Sequence, residues 1–474
     1  MEKNSRGTAR LGGADLFDLD LIKKHDKAGP RYTSYPTAPM FHDGIGCSAY
    51  AATLKRVENV DAPISLYIHI PFCNTVCYYC GCNKIVTKQY ERAQPYLDLL
   101  FKEIDAVADL VGNTRPVTQL HFGGGTPTFL NDEQIRALMG KLRERFQFVD
   151  DASAEYSIEM DPRECTPETV KTLREVGFNR MSMGVQDFDP VVQKAVNRIQ
   201  SKEVTLNVLN DARREGFKSM NIDLMYGLPH QTVKTFDTTL DQIIEFSPDR
   251  IALFNYAHLP EMFMPQRRID ESAMPSPQEK LNILEHSINK LIGAGYVFIG
   301  MDHFAKPDDE LTIAQQEGKL YRNFQGYSTH ADCDLIGLGL TSIGYVGGSF
   351  FQNKKEMDAY QSAIETDGLA VFRGYTLSNE DHLRRAVIMR LMCDFKIDFS
   401  VFEADFGIAF KQHFSDSLAD LQEMQDDGLL TLTDTSLVVL PAGRLMIRNV
   451  AMVFDEHLRQ KTEKKQFSKV LINE

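Results

Sequence analysis

The chain has 474 residues and a mass of 53.7 kDa, with 52 Lys and Arg against 66 Asp and Glu for a net charge of -14, and eight cysteines. A chain this long buries an adequate apolar core without disulfide staples, its acidic balance argues against a nucleic-acid partner, and no stretch approaches the roughly 18 uninterrupted apolar residues of a membrane span. The opening MEKNSRGTARLGGADLFDLD has no apolar run of the secretory type, so the expectation is a cytoplasmic protein with reduced thiols and no membrane partner.

In chain order, residues 1–48 are Gly-rich and polar and read as an N-terminal arm packed on the body of the protein. From Ile64 onward, short β-type runs begin: ISLYIHI from Ile64, VTQLHF from Val117, EYSIEM from Glu155, RMSMGVQ from Arg180, MNIDLMYG from Met220 and RIALFNYAHL from Arg250. Helix-like segments separate them: PYLDLLFKEIDAVADL, NDEQIRALMGKLRERF, TPETVKTLREVGF, KEVTLNVLNDARREGF and VKTFDTTLDQIIEF, several opening on a capping Asp, Thr or Asn. Strand and helix alternating some six times predicts an α/β fold, a full, partial or extended (β/α) TIM-type barrel over residues 49–374, with function at the C-terminal ends of its strands.

YVFIGMDHF from Tyr296 reads as one further strand. Near Gly374 the pattern changes to helix, helix, short hairpin and final helix, which predicts a small, mainly helical C-terminal domain over residues 375–474 resembling a winged helix. The basic tail KTEKKQFSK reads as a solvated terminus.

The chemistry concentrates in CNTVCYYCGC, where Cys73, Cys77, Cys80 and Cys82 fall within ten residues. Structural zinc sites pair two C-x-x-C knuckles from separated segments, so one compact loop is a poor match. Three thiolates at C-x3-C-x2-C suit an iron-sulfur cube that leaves its fourth iron without a protein ligand. Cys82 is surplus to that count and is either a bystander or an auxiliary residue. Cys47, Cys165, Cys333 and Cys393 are scattered and read as structural. The glycines of HFGGGTPT, directly after a predicted strand, let backbone approach a ligand with amides free to bind it, or else make a tight barrel turn. Glu159 ends the next strand on the same rim, where it either holds a ligand ammonium or stands solvated or paired.

C-x3-C-x2-C after a first barrel strand resembles the radical S-adenosylmethionine enzymes. The ordered set YIHIPFC, YYCGCNKIVT, HFGGGTPT, SIEMDPRE, GFNRMSMGVQDF, VNRIQ, NIDLMYGLP, FNYAHLP, GMDHFA and RNFQGY is similar to the oxygen-independent coproporphyrinogen III oxidase family in particular, from RYTSYPTA near Arg31 to RQK near Lys461. The resemblance implies a radical-SAM barrel, a 4Fe-4S cluster on Cys73, Cys77 and Cys80, and two molecules of S-adenosyl-L-methionine. Tyr67, Gly124 and Glu159 match positions around the first molecule. Tyr79, Gly125, Thr126, Gln186, Arg198, Asp223, Ala257 and Ile343 match those around the second. Cys82 matches a position that marks these oxidases, and Cys82, Tyr67 and Glu159 are the candidate catalytic residues.

The implied reaction is the anaerobic conversion of two propionates of coproporphyrinogen III to vinyls, giving protoporphyrinogen IX, with an electron donor such as flavodoxin or ferredoxin and a monomeric chain. Cationic residues are expected on the remaining propionates, with Arg31, Lys84, Arg163, Arg267, Arg268 and Arg322 as candidates in motif-rich loops. The alternatives are a haem-binding chaperone of the same family, against which Cys82 and RNFQGY argue, and a radical methyltransferase or haem-degrading enzyme.

Overall fold

Six apolar runs form parallel strands β1 to β6, at Ile64–Ile70, Pro116–Gly124, Glu155–Met160, Arg180–Gln186, Ser219–Tyr226 and Arg250–Asn255. The computed structural model describes residues 12–57, 60–151 and 153–459; the basic tail and Lys461 lie outside them. Helices Ala93–Val111, Asp132–Arg145, Pro167–Glu175, Lys202–Glu215 and Val233–Phe246 connect the strands. Four of these helices start where the chain supplies a cap: the side chains of Asn131, Thr166, Ser201 and Thr232 each accept a backbone N–H of the first turn.

The sheet continues through β7 (Val297–Gly300) and β8 (His303–Ala305), while β9 (Tyr321–Asn323) and β10 (Gly326–Ser328) pair as a separate hairpin. Then come β11 (Asp334–Leu338), β12 (Ile343–Val346), β13 (Ser349–Asn353) and β14 (Val371–Thr376). The sheet order is β7-β8-β6-β5-β4-β3-β2-β1-β11-β12-β13-β14. β11 joins β1 in parallel, whereas β8 meets β6 antiparallel and β12 to β14 run antiparallel beyond β11. The result is a partial barrel extended at both edges by antiparallel strands.

Alternation along the strands sets what the barrel encloses. Leu66, Ile68, Leu120, Phe122, Ile158, Met183, Ile222 and Leu224 are fully buried in the main apolar core. The intervening positions line the interior with Gln119, His121, Glu155, Ser157, Glu159, Arg180, Ser182, Asn221, Asp223 and Arg250. An ordinary eight-stranded barrel fills this space with branched aliphatic side chains. Here the layers are polar and enclose a cavity.

Two expectations change. YVFIGMDHF is not one strand: Gly300 and Met301 take positive φ (145° and 51°) and fold it into the antiparallel pair β7 and β8. The sixth run stops at Asn255, so Ala257 lies beyond the strand and not at its end.

Residues 12–48 are more ordered than an extended polar arm. They carry the helix Leu19–His25, bury Leu16, Ile22, Tyr32 and Tyr35, and reach C-terminal residues through Tyr32 Oη to Asp455 (2.9 Å) and His25 Nε2 to Asp427 (2.5 Å). Past β14, the helix Asn379–Asp394 leads into a three-stranded sheet of Lys396–Asp398, Leu430–Leu432 and Ser436–Val439, with short helices between. Among the described residues no helix is long and apolar enough to cross a membrane.

Candidate active site

The cysteine loop leaves β1 and is pinned at both ends, because Phe72 and Cys73 pair with Ile85 and Val86. Neighbouring segments hold its backbone. Tyr78 N donates to Val196 O (2.9 Å), Asn197 Nδ2 to Val76 O (2.8 Å), Gln266 Nε2 to Tyr79 O (2.9 Å) and Lys84 Nζ to Cys80 O (3.2 Å). Cys73 and Cys77 are buried, Cys80 is half-buried and Cys82 exposed.

Donors from loops beyond the strand ends face the sulfurs. Thr126 Oγ1 lies 3.5 Å from Cys73 Sγ, and Arg198 Nη1 and Arg163 Nη2 lie 3.6 Å and 4.0 Å from Cys77 Sγ. The neighbouring Cys82 thiol holds the Cys80 thiol below the ordinary range of a cysteine. Burial pushes the Cys73 thiol up to about 11 against the Thr126 hydrogen bond, so this sulfur is a neutral thiol until a metal takes its proton. Asn74 Oδ1, Gln186 Oε1 and Arg198 Nε are buried in the same region without a partner among the described residues, as groups awaiting a ligand are. The donor set therefore fits an iron-sulfur cube and a polar molecule beside it.

Glu159 stands at the C-terminal end of β3, its Oε1 3.2 Å from His121 Nε2 and its Oε2 accepting the Gly124 N–H at 3.2 Å. Burial pushes its pKa up, but the hydrogen bonds from His121 and Gly124 and the charge of His121 more than offset this, leaving it below the ordinary range. Glu159 is thus a carboxylate at neutral pH. Tyr67 lies parallel to His121 with ring centroids 5.9 Å apart, and its hydroxyl meets His69 Nδ1 at 3.1 Å. Burial draws His69 down to about 4, so its imidazole is neutral. Across the cavity, burial and the charge of Glu159 push Asp223 up to about 7, against hydrogen bonds from Asn221 and Ser182.

The glycine run does something other than expected. The Gly124, Gly125 and Thr126 amides are not free: they donate to Glu159 Oε2, Ile70 O (2.8 Å) and Phe72 O (2.7 Å). A Cβ on Gly125 would sit 2.7 Å from Phe72 O, and one on Gly124, whose φ is +117°, 2.5 Å from the His69 ring. These glycines let β2 press against the root of the cysteine loop.

One cleft is lined by Cys73, Cys77, Cys80 and Cys82, by Tyr79, Gly124, Gly125, Thr126 and Glu159, and by Gln186, Arg198 and Asp223. Tyr67 and Ile343 line an adjoining cleft that shares Cys82, Gly124 and Glu159. Ala257 lines neither, but its carbonyl and that of Tyr79 both accept from the buried Gln266. Arg198, which on its sequence position alone would be assigned to the surface, is 6% exposed.

Sequence reasoning passed over His69, His121, Asp161, Ser182 and Asn221. Four of them sit at alternate positions of otherwise apolar strands, and that alternation was the available signal. Asp161, just past β3, pairs with both Arg163 (2.6 Å) and Arg198 (3.2 Å) and so fixes the two cations beside Cys77. Among the scattered cysteines, Cys47 donates to the carbonyls of Leu369 and Val371, Cys165 to Asp161 O, and Cys333 meets the Thr118 hydroxyl.

The Radical SAM superfamily matches residues 67–243, and the HemN C-terminal domain matches residues 377–446. An oxygen-independent coproporphyrinogen III oxidase of Pseudomonas aeruginosa is 48% identical over 455 residues, 96% of this chain and 99% of its own. That of Escherichia coli K12 is 50% identical over 455 residues, 96% of this chain and 98% of its own. The solved structure of the Escherichia coli coproporphyrinogen III oxidase, described as a radical SAM enzyme, superposes with a TM-score of 0.89 at 49% identity, covering 93% of this chain and 99% of that one.

Proposed function

The chain belongs to the oxygen-independent coproporphyrinogen III oxidase family, and from that premise we propose how its residues divide the work. The enzyme oxidatively decarboxylates two propionates of coproporphyrinogen III to vinyls without oxygen, giving protoporphyrinogen IX in haem biosynthesis. Each conversion removes one β-hydrogen atom, one CO2 and one further electron from a propionate. A 4Fe-4S cluster with S-adenosylmethionine supplies the carbon radical that takes this hydrogen, which no side-chain base can remove as a proton at neutral pH.

Cys73, Cys77 and Cys80 would hold three irons of the cluster. Tyr67, Gly124 and Glu159 would surround the S-adenosylmethionine on the cluster, with the Glu159 carboxylate facing its ammonium. Tyr79, Gly125, Thr126, Gln186, Arg198, Asp223, Ala257 and Ile343 would surround a second molecule. Cys82 would act as an auxiliary residue beside the reacting propionate. On this reading residues 1–48 are an arm, 49–374 the catalytic barrel and 375–474 a mainly helical C-terminal domain. The chain works as a monomer in the cytoplasm, and a flavodoxin or ferredoxin supplies electrons.

The observation that carries the reading is that three thiols, an ionised Glu159 and Cys82 face adjoining clefts in a polar-lined barrel. Anaerobic incubation of the reconstituted enzyme with coproporphyrinogen III, S-adenosylmethionine and a reductant tests it. Divinyl product with 5'-deoxyadenosine is expected; methyl transfer or ring opening would replace the reading.

A further inference from the structure

The six cationic candidates for the propionates separate once their partners are known. Arg31 pairs with Asp302, Lys84 caps the carbonyls of Cys80 and Cys82, and Arg163 is held by Asp161. Arg267 donates to Pro260 O, and Arg268, exposed, lies over the Tyr78 ring. Arg322 is different: it is 3% exposed, stacks on Tyr327 (4.7 Å) and leaves Nε and Nη1 buried without an acceptor among the described residues. A buried guanidinium with unmet donors calls for an anion.

Arg322 lies on β9, in the wall of a small enclosed cavity where the N-terminal segment, the barrel and the helix Asn379–Asp394 meet. Thr33, Ser34, His330 and Arg385 also line it, and among the described residues no Asp or Glu does. Arg385, stacked on Tyr345 (4.3 Å), adds a second positive charge. The cavity adjoins the cleft of Tyr67, Cys82 and Glu159, because Phe324 and Leu335 line both. It is too small for a pyrrole ring but suits a carboxylate head.

We propose that Arg322, backed by Arg385, is the anchor for one unreacted propionate carboxylate of the tetrapyrrole, which reaches past Phe324 while the reacting propionate stays in the cleft of Glu159. The assignment rests on the function proposed above. It makes Arg322 a substrate-binding residue: its fork matches a carboxylate, and its contact is the same in ground and transition states.

The test uses the reconstituted full chain. Arg322→Met should raise KM for coproporphyrinogen III tenfold or more with kcat changed less than threefold, and Arg322→Lys should fall between Met and wild type. Unchanged KM in Arg322→Met overturns the assignment while leaving the enzyme's function intact. A wild type that makes no vinyl product overturns both. If the variants fail to fold, hydrogen exchange of the wild type with the stable porphyrin coproporphyrin III decides. Slowed exchange in residues 321–328, absent with its tetramethyl ester, supports the anchor; no change with either, or equal slowing with both, refutes it.

Discussion

Arg198 reaches Cys77 from a loop 121 residues further along the chain, with Nη1 3.6 Å from the sulfur and 3.2 Å from Asp161 Oδ2, while Nη2 caps the Gly184 carbonyl. Through this one side chain, β3, β4 and the cysteine loop are held in fixed relation. Removing one partner of such a buried pair typically costs about 3–5 kcal/mol, and the lower end applies here because Arg163 stays with Asp161. Arg198→Met should therefore lower the melting temperature and the iron bound after reconstitution, with wild-type iron content counting against this bracing role.

About four iron and four sulfide per chain are expected after anaerobic reconstitution, with broad absorption near roughly 400 nm, as for one cubane cluster. Serine at Cys73, Cys77 or Cys80 should abolish that absorption. Stoichiometric zinc without sulfide would contradict the cluster.

Cys82→Ser separates the fourth thiol from the other three. The cluster should assemble, because Cys82 is exposed and outside the ligand triad, but vinyl product should fall sharply. Turnover equal to wild type in this variant would make Cys82 a bystander.

Glu159→Ala should weaken the S-adenosylmethionine bound at the cluster by about 1.5–3 kcal/mol, roughly tenfold or more, through loss of a charge-assisted hydrogen bond. Equilibrium binding of labelled S-adenosylmethionine should approach two per chain in the wild type and fall toward one in Asp223→Ala. Gln186→Ala should likewise spare the spectroscopic signature of cofactor at the cluster. A wild-type stoichiometry of one would remove the second site.

Asp223 gives a pH signature. With its pKa up to about 7 in the folded chain against 3.8 in a free side chain, the folded state keeps a proton that the unfolded state has lost between those values. Stability from this residue therefore falls as pH rises from about 4 to about 7 and is level above. Asp223→Asn should gain on wild type across that window in melting temperature, and a parallel pair of curves would place the Asp223 pKa at its ordinary value.

What the sequence by itself determined is what depends on neighbours along the chain. Cys73, Cys77 and Cys80 meet because a single loop joins them, and the β-strand and helix runs repeat in register with their caps, so the barrel, the cluster loop and the function were legible together. Tertiary structure alone decided which charges are left to bind a ligand. Arg31 and Arg322 look alike in the sequence, yet Asp302 pairs with the first across 271 positions, while the second is buried with two donors unmet. Closure of the sheet likewise ties up the glycine amides expected to be free, and positive φ at Gly300 and Met301 turns one predicted strand into two. For the charges and the glycine amides the physical reason is that desolvation and partnering are fixed by residues distant along the chain, from 35 positions for Gly124 and Glu159 to 271 for Arg31 and Asp302, and no local pattern of side chains records them.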